Sequence, residues 1–414
     1  MTESSILFVL LIILSADFLL ERILGFLNRK SSKQPIPKEL TGIYDDEKYE
    51  KSQAYQHALG RFGNFSATFS FLLTFSAIYF GWFGLLDSWM RTFSPLDMLT
   101  TLMFFGVIFI ISDLIGTPFS LYQTFVIEER FGFNKTSFKT FILDKLKGYV
   151  LTIIIGGVLM LVLLYLIASM GSDFWLIFWG VIVVFTLLMN MFYTSWILPL
   201  FNKLTPMEEG SLKEKIEAFS QKVSFPLTNI FVIDGSKRSA KGNAFFSGLG
   251  RKKKVVLYDT LIEKHTEDEL TAIFAHEVGH YKKRHIYLTT VISMLQIGFT
   301  LYLLSLMLFS SEVSYAMGGN MTAIHLNILA FGILYTPVSH VLGLLMNLLS
   351  RKHEYEADAY AAEHYDSQPL IDGLKRLSGE HLSNLTPHPA YVFVHYSHPS
   401  LLQRVRAIGK LASN

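Results

Sequence analysis

Residues 274–285, FAHEVGHYKKRH, decide how the rest of this sequence is interpreted. They contain two histidines four positions apart, His276 and His280, with Glu277 directly after the first. On a helix, residues four apart lie on one face, so both imidazoles can bind the same zinc ion. Glu277 lies on the adjoining face, where it can accept a proton from a metal-bound water. The stretch predicts a zinc site, although so short a pattern also arises by chance.

The residues before this pattern predict a soluble segment with a small β-sheet. EGSLKEKIEAFSQKV (209–223) has the spacing of an amphipathic helix, and NIFVID (229–234) has the alternation of a strand. Two further short strands are predicted around the GNAFF and KKVVLY stretches. Thr266 with Glu269 three residues later is a capping-box signature, which predicts that the helix of His276 and His280 begins there.

The chain around this segment is unusually apolar. Of its 414 residues, 51% are hydrophobic, and the mean hydropathy is +0.36. A helix needs roughly 20 apolar residues to cross a bilayer. Seven blocks reach about that length: 5–25, 65–89, 96–119, 149–170, 174–197, 286–309 and 321–349. Seven such blocks argue against a large soluble helical protein, and the first lacks the features of a cleaved signal peptide. We predict a mainly α, polytopic membrane protein with about seven transmembrane helices.

The basic residues predict the orientation of these helices. The segment 21–64 carries eight Lys and Arg residues and the segment 201–285 carries fifteen, whereas the loops 171–173 and 310–320 carry none. Because cytosolic loops are enriched in Lys and Arg, the N-terminus is predicted outside and the zinc site towards the cytosol. The predicted organisation is a membrane region over 1–200, a cytosolic segment over 201–285, two further membrane helices over 286–349 and a cytosolic C-terminal segment over 350–414.

A zinc protease with this motif needs a third ligand from elsewhere in the chain. A metzincin would place Gly and His three and six residues after His280, where this sequence has Lys283 and Ile286. The later stretch HEYEAD instead offers carboxylates, among which Glu354 and Asp358 share a helix face. Glu354 can complete a gluzincin-like site, and Asp358 can orient a ligating histidine. Otherwise these acids are ordinary solvated side chains of a helix surface.

These motifs, in this order, resemble the type I CAAX prenyl protease family. These integral-membrane zinc metalloproteases remove the last three residues of prenylated CAAX proteins. The resemblance covers nearly the whole chain and rests on five stretches: PFSLYQTFVIEERFGFNKTS (118–137), DGSKRSAKGNAFFSG (234–248), AHEVGHYKKRH (275–285), SRKHEYEADAYA (350–361) and YSHPSLLQRVRAI (396–408). It implies transmembrane helices around a large chamber, one zinc ion per chain and a prenylated or other membrane-associated C-terminal peptide as the substrate.

The resemblance also implies roles for individual residues. By position, the zinc ligands are His276, His280 and Glu354, and the general base is Glu277. Asn243 falls beside the substrate backbone, and the strand that continues through Ala244 and Phe245 offers an edge for an extended peptide. His398 and Arg404 match residues that face the scissile carbonyl or support the site. Without the resemblance, these last two residues read as a helix-start histidine and an ordinary surface arginine.

Two other functions remain open on the sequence. One is a membrane-protein quality-control zinc protease, and the other is a transporter or receptor with a structural metal. The net charge of +2 does not indicate a nucleic-acid partner, and the absence of cysteine excludes disulfides and thiolate metal sites. We expect a bacterial inner membrane, with the endoplasmic reticulum as the alternative, and a monomer. The natural substrate is not identified by the sequence.

The orientation can be tested by labelling. A cysteine introduced by Ser211→Cys should be protected from an impermeant thiol reagent added to intact cells, whereas Ser310→Cys should be labelled, because the two loops are predicted on opposite sides. The chain has no cysteine of its own, so the background is low. Labelling of Ser211→Cys with protection of Ser310→Cys would reverse the predicted orientation.

Overall fold

The computed structural model describes residues 1–247 and 253–412, which form a mainly α-helical protein with one small sheet. The helices of the apolar part are α1 Glu3–Ser31, α2 Asp46–Tyr79, α3 Trp82–Arg91, α4 Asp97–Tyr122, α5 Phe138–Leu151, α6 Gly157–Met170, α7 Phe174–Phe192 and α8 Leu198–Phe201. Turns of π-helix at Gln123–Glu128, Thr152–Gly156 and Tyr193–Ile197 extend or join some of them.

The remaining helices follow a polar segment that contains the sheet. They are α9 Ser211–Lys222, α10 Asp259–Ile262, α11 Glu267–Lys282, α12 His285–Met307, α13 Ser311–Ala316, α14 Ile324–Leu334, α15 Thr336–His364, α16 Ser367–Glu380, α17 Pro389–His395 and α18 Leu401–Ala412. The predicted amphipathic helix is α9, and the predicted start of the HEVGH helix at Thr266 is confirmed by a complete capping box.

The predicted multi-pass helical class is confirmed, while the number of seven spans stays a prediction. By length and hydropathy, three continuous helical stretches of the described residues can cross a membrane: Asp97–Glu128, Phe138–Phe201 and His285–Met307. Two bent pairs, α2 with α3 and α14 with α15, raise the number to five if each pair is one span. The 64-residue stretch Phe138–Phe201 contains two of the predicted blocks, on either side of Gly171 with its φ of +58°.

Carboxylates within the apolar helices have partners. Asp17 on α1 lies with its Oδ1 2.6 Å from Nε2 of His340 on α15. On α4, Asp113 accepts hydrogen bonds from Lys145 (2.8 Å) and from the hydroxyl of Tyr149 (2.6 Å). A charge in an apolar span is costly unless it faces water or a partner. These contacts therefore join helices that are far apart in the sequence.

The sheet has four strands in the described residues, in the spatial order β1-β2-β4-β3. Their bounds are β1 Leu204–Pro206, β2 Leu227–Ile233, β3 Ala244–Ser247 and β4 Lys253–Tyr258. β2 and β4 are parallel, whereas β3 pairs with β4 in antiparallel register, Phe245 opposite Val256. The sequence predicts β2, β3 and β4 but not the short β1. Because β3 is last in this order, one of its two edges has no neighbouring strand in the part of the chain that the structure describes.

A large hydrophobic core joins this sheet to the helices of the HEVGH motif. Buried Leu257 from the sheet, Phe219 from α9 and Phe274 from α11 belong to one cluster, which also includes Ala361 of α15 and Leu370 of α16. Residues that are 0–4% exposed in such a cluster hold their helices at defined positions. The core therefore fixes α11 and α15 against each other.

Gly84 on α3 provides a test of close packing between α3 and the loop that contains Gly318. A Cβ atom at Gly84 would lie 1.8 Å from the carbonyl oxygen of Gly318, which is backbone and cannot move away cheaply. Gly84→Ala should reduce the free energy of unfolding by about 1–3 kcal/mol, as overpacking of a filled site does. The loss should be measurable as a lower apparent melting temperature in detergent. Gly106→Ala is the control, because a Cβ there meets no atom within 4 Å. Equal melting temperatures for the two variants would contradict this packing.

Candidate metal centre

The helix that carries the HEVGH motif is anchored at its first turn. The side chain of Thr266 accepts a hydrogen bond from the backbone N–H of Glu269, and the Glu269 carboxylate accepts one from the backbone N–H of Thr266. Arg376 on α16 donates to both oxygens of the same carboxylate, at 2.9–3.1 Å. Because Glu269 is buried, this pairing fixes the start of α11 relative to α16. The two histidines follow two and three turns later.

Three side chains with metal-binding atoms converge between α11 and α15. The Nε2 atoms of His276 and His280 lie 3.2 Å apart, and Oε2 of Glu354 lies 3.5 Å from Nε2 of His276. The other oxygen of Glu354, Oε1, lies 3.3 Å from Nε2 of His280. One ligand atom from each residue lies within 4.8 Å of the others. The structure therefore brings together the three predicted ligands, which the sequence separates by up to 78 positions.

Gly279 permits this convergence by letting the two helices approach closely. A Cβ atom at Gly279 would lie 3.0 Å from Cα of Ala357 and 3.1 Å from Cβ of Tyr360. Gly279 and Ala357 are both buried, so no space remains for a larger side chain on either helix. The small residues place Glu354, one turn before Ala357, beside the histidines of α11.

The nitrogen of His276 that faces away from the ligand cluster is held by a buried ion pair. Its Nδ1 lies 2.8 Å from Oδ1 of Asp358, and Arg404 on α18 donates to both oxygens of Asp358 at 2.6 and 2.8 Å. Nη1 of Arg404 also lies 3.4 Å from Oε2 of Glu354. A carboxylate on the outer nitrogen fixes the tautomer and orientation of a ligating histidine. Asp358 thus has the geometry predicted for it, and Arg404 contacts the site through Asp358 and Glu354.

The nitrogen of His280 that faces away from the cluster is held by a second chain of contacts, which the sequence analysis did not anticipate. Nδ1 of His280 lies 3.0 Å from Nδ1 of His285, and Nε2 of His285 lies 2.8 Å from Oε2 of Glu356. The buried ring of His285 stacks on that of His353, with centroids 3.9 Å apart. Glu356 is not part of the ligand cluster, but it contacts His280 indirectly through His285. In the sequence, only the spacing within EYEAD indicates this arrangement. Residues two positions apart lie on different faces of a helix, so Glu356 contacts a different helix from Glu354 and Asp358.

The electrostatics of the site follow from these pairs. Burial alone would lower the pKa of His276, but hydrogen bonds to Asp358 and Glu354 outweigh it and raise the pKa to about 9. Burial would likewise lower the pKa of Arg404, yet the charge of Asp358 raises it above the usual value. Metal binding requires a free nitrogen on His276, so it displaces a proton from this site.

The residues present fit a divalent metal ion. Two imidazole nitrogens and a carboxylate oxygen converge, and Oε2 of Glu354 is a buried atom with no hydrogen-bond partner among the described residues. The guanidinium of Arg404, with Nη1 3.4 Å from this oxygen, compensates part of its charge, and no hydrogen bond occupies the oxygen. The donor set of two imidazoles and one carboxylate, converging on one point, is therefore suited to a divalent cation between the three side chains.

The other predicted residues lie around the ligands at different distances. Half-buried Glu277 follows His276 on α11. His398, whose side chain is 60% exposed, has its Nε2 3.3 Å from Oε1 of Glu354, so it lies at the open side of the site. Asn243, Ala244 and Phe245 form no hydrogen bond to the ligands in the described residues; Ala244 and Phe245 belong to β3 at one edge of the sheet, and Asn243 directly precedes it.

Comparison with known proteins gives the family of this chain. Residues 26–203 match the family model described as CAAX prenyl protease N-terminal, five membrane helices. Residues 206–412 match the model of peptidase family M48. The chain belongs to the CAAX prenyl protease 1 family. This family is one of metalloendopeptidases, so the alternative of a transporter or receptor with a structural metal is set aside.

Similar members of the CAAX prenyl protease 1 family come from several eukaryotes. The chain is 35% identical to CAAX prenyl protease 1 homolog of Arabidopsis thaliana, with 90% of each chain covered. It is 34% identical to CAAX prenyl protease 1 of Saccharomyces cerevisiae, covering 92% of this chain and 90% of that one. The crystal structure of S. mikatae Ste24p superposes with a TM-score of 0.91 at 33% identity, covering 97% and 99% of the two chains. The multi-pass membrane class follows, and the bacterial inner membrane stays a prediction.

The geometry predicts different effects for two carboxylates of α15. Glu354→Ala should abolish stoichiometric metal binding, because it removes a ligand. Glu356→Ala should keep one metal per chain but weaken its binding by about tenfold or more, because only the support of His280 through His285 is lost. Titration of the purified variants against a competing chelator measures both effects. Equal loss of metal from the two variants would contradict the assignment of Glu354 as a ligand and of Glu356 as a supporting residue.

Proposed function

We propose that this protein is a zinc endopeptidase that cleaves near the C-terminus of prenylated, membrane-anchored proteins, on the cytosolic side of the membrane. The observation that carries the proposal is the convergence of His276, His280 and Glu354, with Glu277 beside them. Two imidazoles and one glutamate are the ligand set of many catalytic zinc sites, which keep a further position open for water or substrate. The membership of the CAAX prenyl protease 1 family supports the same substrate class.

The metal position determines what the surrounding residues can do. A zinc ion held by the three ligands supplies Lewis acidity, which polarises a peptide carbonyl and makes water more acidic. Asp358 and His285 hold the outer nitrogens of His276 and His280, so the inner nitrogens face a common point. The metal-binding face is thereby preorganised before substrate arrives.

Glu277 is the residue that moves protons in this proposal. Its carboxylate accepts a proton from the water that attacks the peptide carbonyl, and then donates it to the amine that leaves. Glu277 is half-buried next to His276 and forms no salt bridge among the described residues, which suits a group that must be accessible to water and substrate. An amide at this position cannot accept the proton.

His398 and Arg404 are assigned different roles. His398 is exposed and 3.3 Å from Glu354, so its ring can donate a hydrogen bond to the oxygen on which negative charge develops. Arg404 already donates to both oxygens of Asp358, so it acts as a positioning residue for Asp358 and His276. The resemblance allows Arg404 either to face the scissile carbonyl or to support the site. Its hydrogen bonds to Asp358 favour the supporting role.

The sheet and the apolar helices explain how a prenylated protein could be presented. The free edge of β3, at Ala244–Ser247, can pair with an extended peptide, and the exposed side chain of Asn243 lies at its beginning. The lipid of a prenylated substrate remains in the bilayer while its C-terminal peptide reaches the metal. A site beside helices that cross the membrane suits such a substrate.

The proposal is tested with a farnesylated peptide that ends in a CAAX sequence. The purified protein in detergent should release the C-terminal tripeptide, detected by mass spectrometry, and should cleave the same peptide without its farnesyl group much more slowly. Glu277→Gln should keep its metal and lower the rate at least about 100-fold, because the general base is lost.

Glu363→Gln is the matched control, since this glutamate is exposed, lies more than two turns beyond Glu354 on α15 and is near His364 rather than a ligand. Near-normal turnover by Glu277→Gln would refute the role of the general base. Equal cleavage of farnesylated and unmodified peptides, together with cleavage of unfolded membrane proteins, would instead favour the quality-control protease.

A further inference from the structure

A second feature of the structure lies apart from the metal centre. A cavity of about 1060 Å³ opens between the end of α1, the polar part of α2 and the end of α4 with the π-helical turn that follows it. None of its lining residues is a predicted ligand or catalytic residue. Its size is slightly above the roughly 300–1,000 Å³ that is typical of ligand sites. The proposed peptidase chemistry does not use it.

One part of the cavity lining is strongly cationic. Arg29, Lys33, Arg61 and Arg130 line it, together with His57. Three of the four basic side chains are exposed and Arg29 is half-buried, and within the described residues none of the four forms an ion pair with a carboxylate. The acids next to Arg130 in the sequence have other partners, since Glu128 pairs with Lys241 and Glu129 accepts from Asn134. The cavity thus holds at least four positive charges without a protein counter-ion.

The side chain of Arg29 is accommodated by the helix opposite. A Cβ atom at Gly60 would lie 2.9 Å from Cδ of Arg29, so the glycine leaves the space in which this side chain crosses α2. Nη1 of Arg29 lies 3.4 Å from Oδ1 of Asn64, a neutral acceptor. The arginine is therefore held in position without being neutralised.

The other part of the lining is aromatic. The rings of Phe62 and Tyr122 have centroids 5.1 Å apart, and Phe119 packs within 6.1 Å of both Phe62 and Phe65. These residues come from α2 and α4, which continue into the apolar part of the protein. The cavity is therefore amphipathic, with cations towards the polar end of the helices and aromatic rings towards the apolar end.

We infer that this cavity binds an anionic phospholipid, with the phosphate among the four cations and the acyl chains along the aromatic wall. The lining is complementary to that ligand in charge and polarity, and basic pockets between membrane helices bind such head groups. Thr386 donates a hydrogen bond to the backbone carbonyl of Ser31, 3.0 Å away, just beyond the cationic end of α1. The lipid site therefore lies at the same end of the helices as the C-terminal segment that carries His398.

The inference is tested by the affinity of the full-length protein in neutral detergent for dioctanoyl phosphatidylglycerol, with dioctanoyl phosphatidylcholine and inorganic phosphate as comparison ligands. The wild type should bind phosphatidylglycerol at least tenfold more tightly than phosphatidylcholine, and should not be measurably stabilised by phosphate at the same concentration. Arg61→Gln with Arg130→Gln should weaken phosphatidylglycerol binding at least tenfold, because two attractions to the phosphate are lost. Arg61→Lys with Arg130→Lys should retain most of the affinity.

Lys139→Gln with Lys203→Gln is the matched control, since both lysines are exposed cations outside the cavity and the same charge is removed. This pair should bind phosphatidylglycerol like the wild type, and the melting temperature of each variant without lipid verifies that it is folded. Equal weakening by both glutamine pairs would overturn the inference in favour of non-specific attraction. Stabilisation by inorganic phosphate alone would identify a soluble anion site, and displacement of the lipid by a farnesylated peptide would identify a substrate site; either result overturns it.

Discussion

The close packing of α11 on α15 is the constraint on which the metal centre depends. A Cβ atom on Gly279 would lie only 3.0 Å from the Cα of Ala357, so the backbones of α11 and α15 are in close contact at this point. At this separation a glutamate on α15 reaches the two histidines of α11. A methyl group on Gly279 would separate the helices by a few tenths of an ångström, and ligand geometry tolerates little more than that.

Pairs of charged and polar side chains then orient the two histidines that this packing brings near Glu354. Asp358 with Arg404 holds His276, and His285 with Glu356 holds His280, so each ligating ring is fixed from behind by a different helix or segment. The membrane helices use the same principle, as in the buried contact of Asp87 with His325 at 2.8 Å. In both places an ionisable group is tolerated because a partner from a distant part of the chain compensates its desolvation.

Much of the fold and part of the site could be predicted from local sequence. The apolar blocks predict helical structure because burying an apolar stretch in a membrane requires internal backbone hydrogen bonds, and the described residues there are helical. The capping box of Thr266 and Glu269 predicts the start of α11 to the residue. The number of spans could not be determined in this way, because hydropathy does not show that a helix is bent at Phe80–Gly81, nor whether the break between the blocks 149–170 and 174–197 at Gly171 separates two spans.

The sequence by itself determined the properties that depend on near neighbours: the apolar blocks, the common face of His276 and His280, and the common face of Glu354 and Asp358. Only the tertiary structure decided that His285 and Glu356 lie behind His280, that Arg404 pairs with Asp358, and that four cations from the ends of α1 and α4 and from α2 share one cavity. The physical reason is that helical periodicity relates residues a few positions apart. Contacts across tens or hundreds of positions depend on how the helices pack, and that packing depends on all of their buried side chains at once.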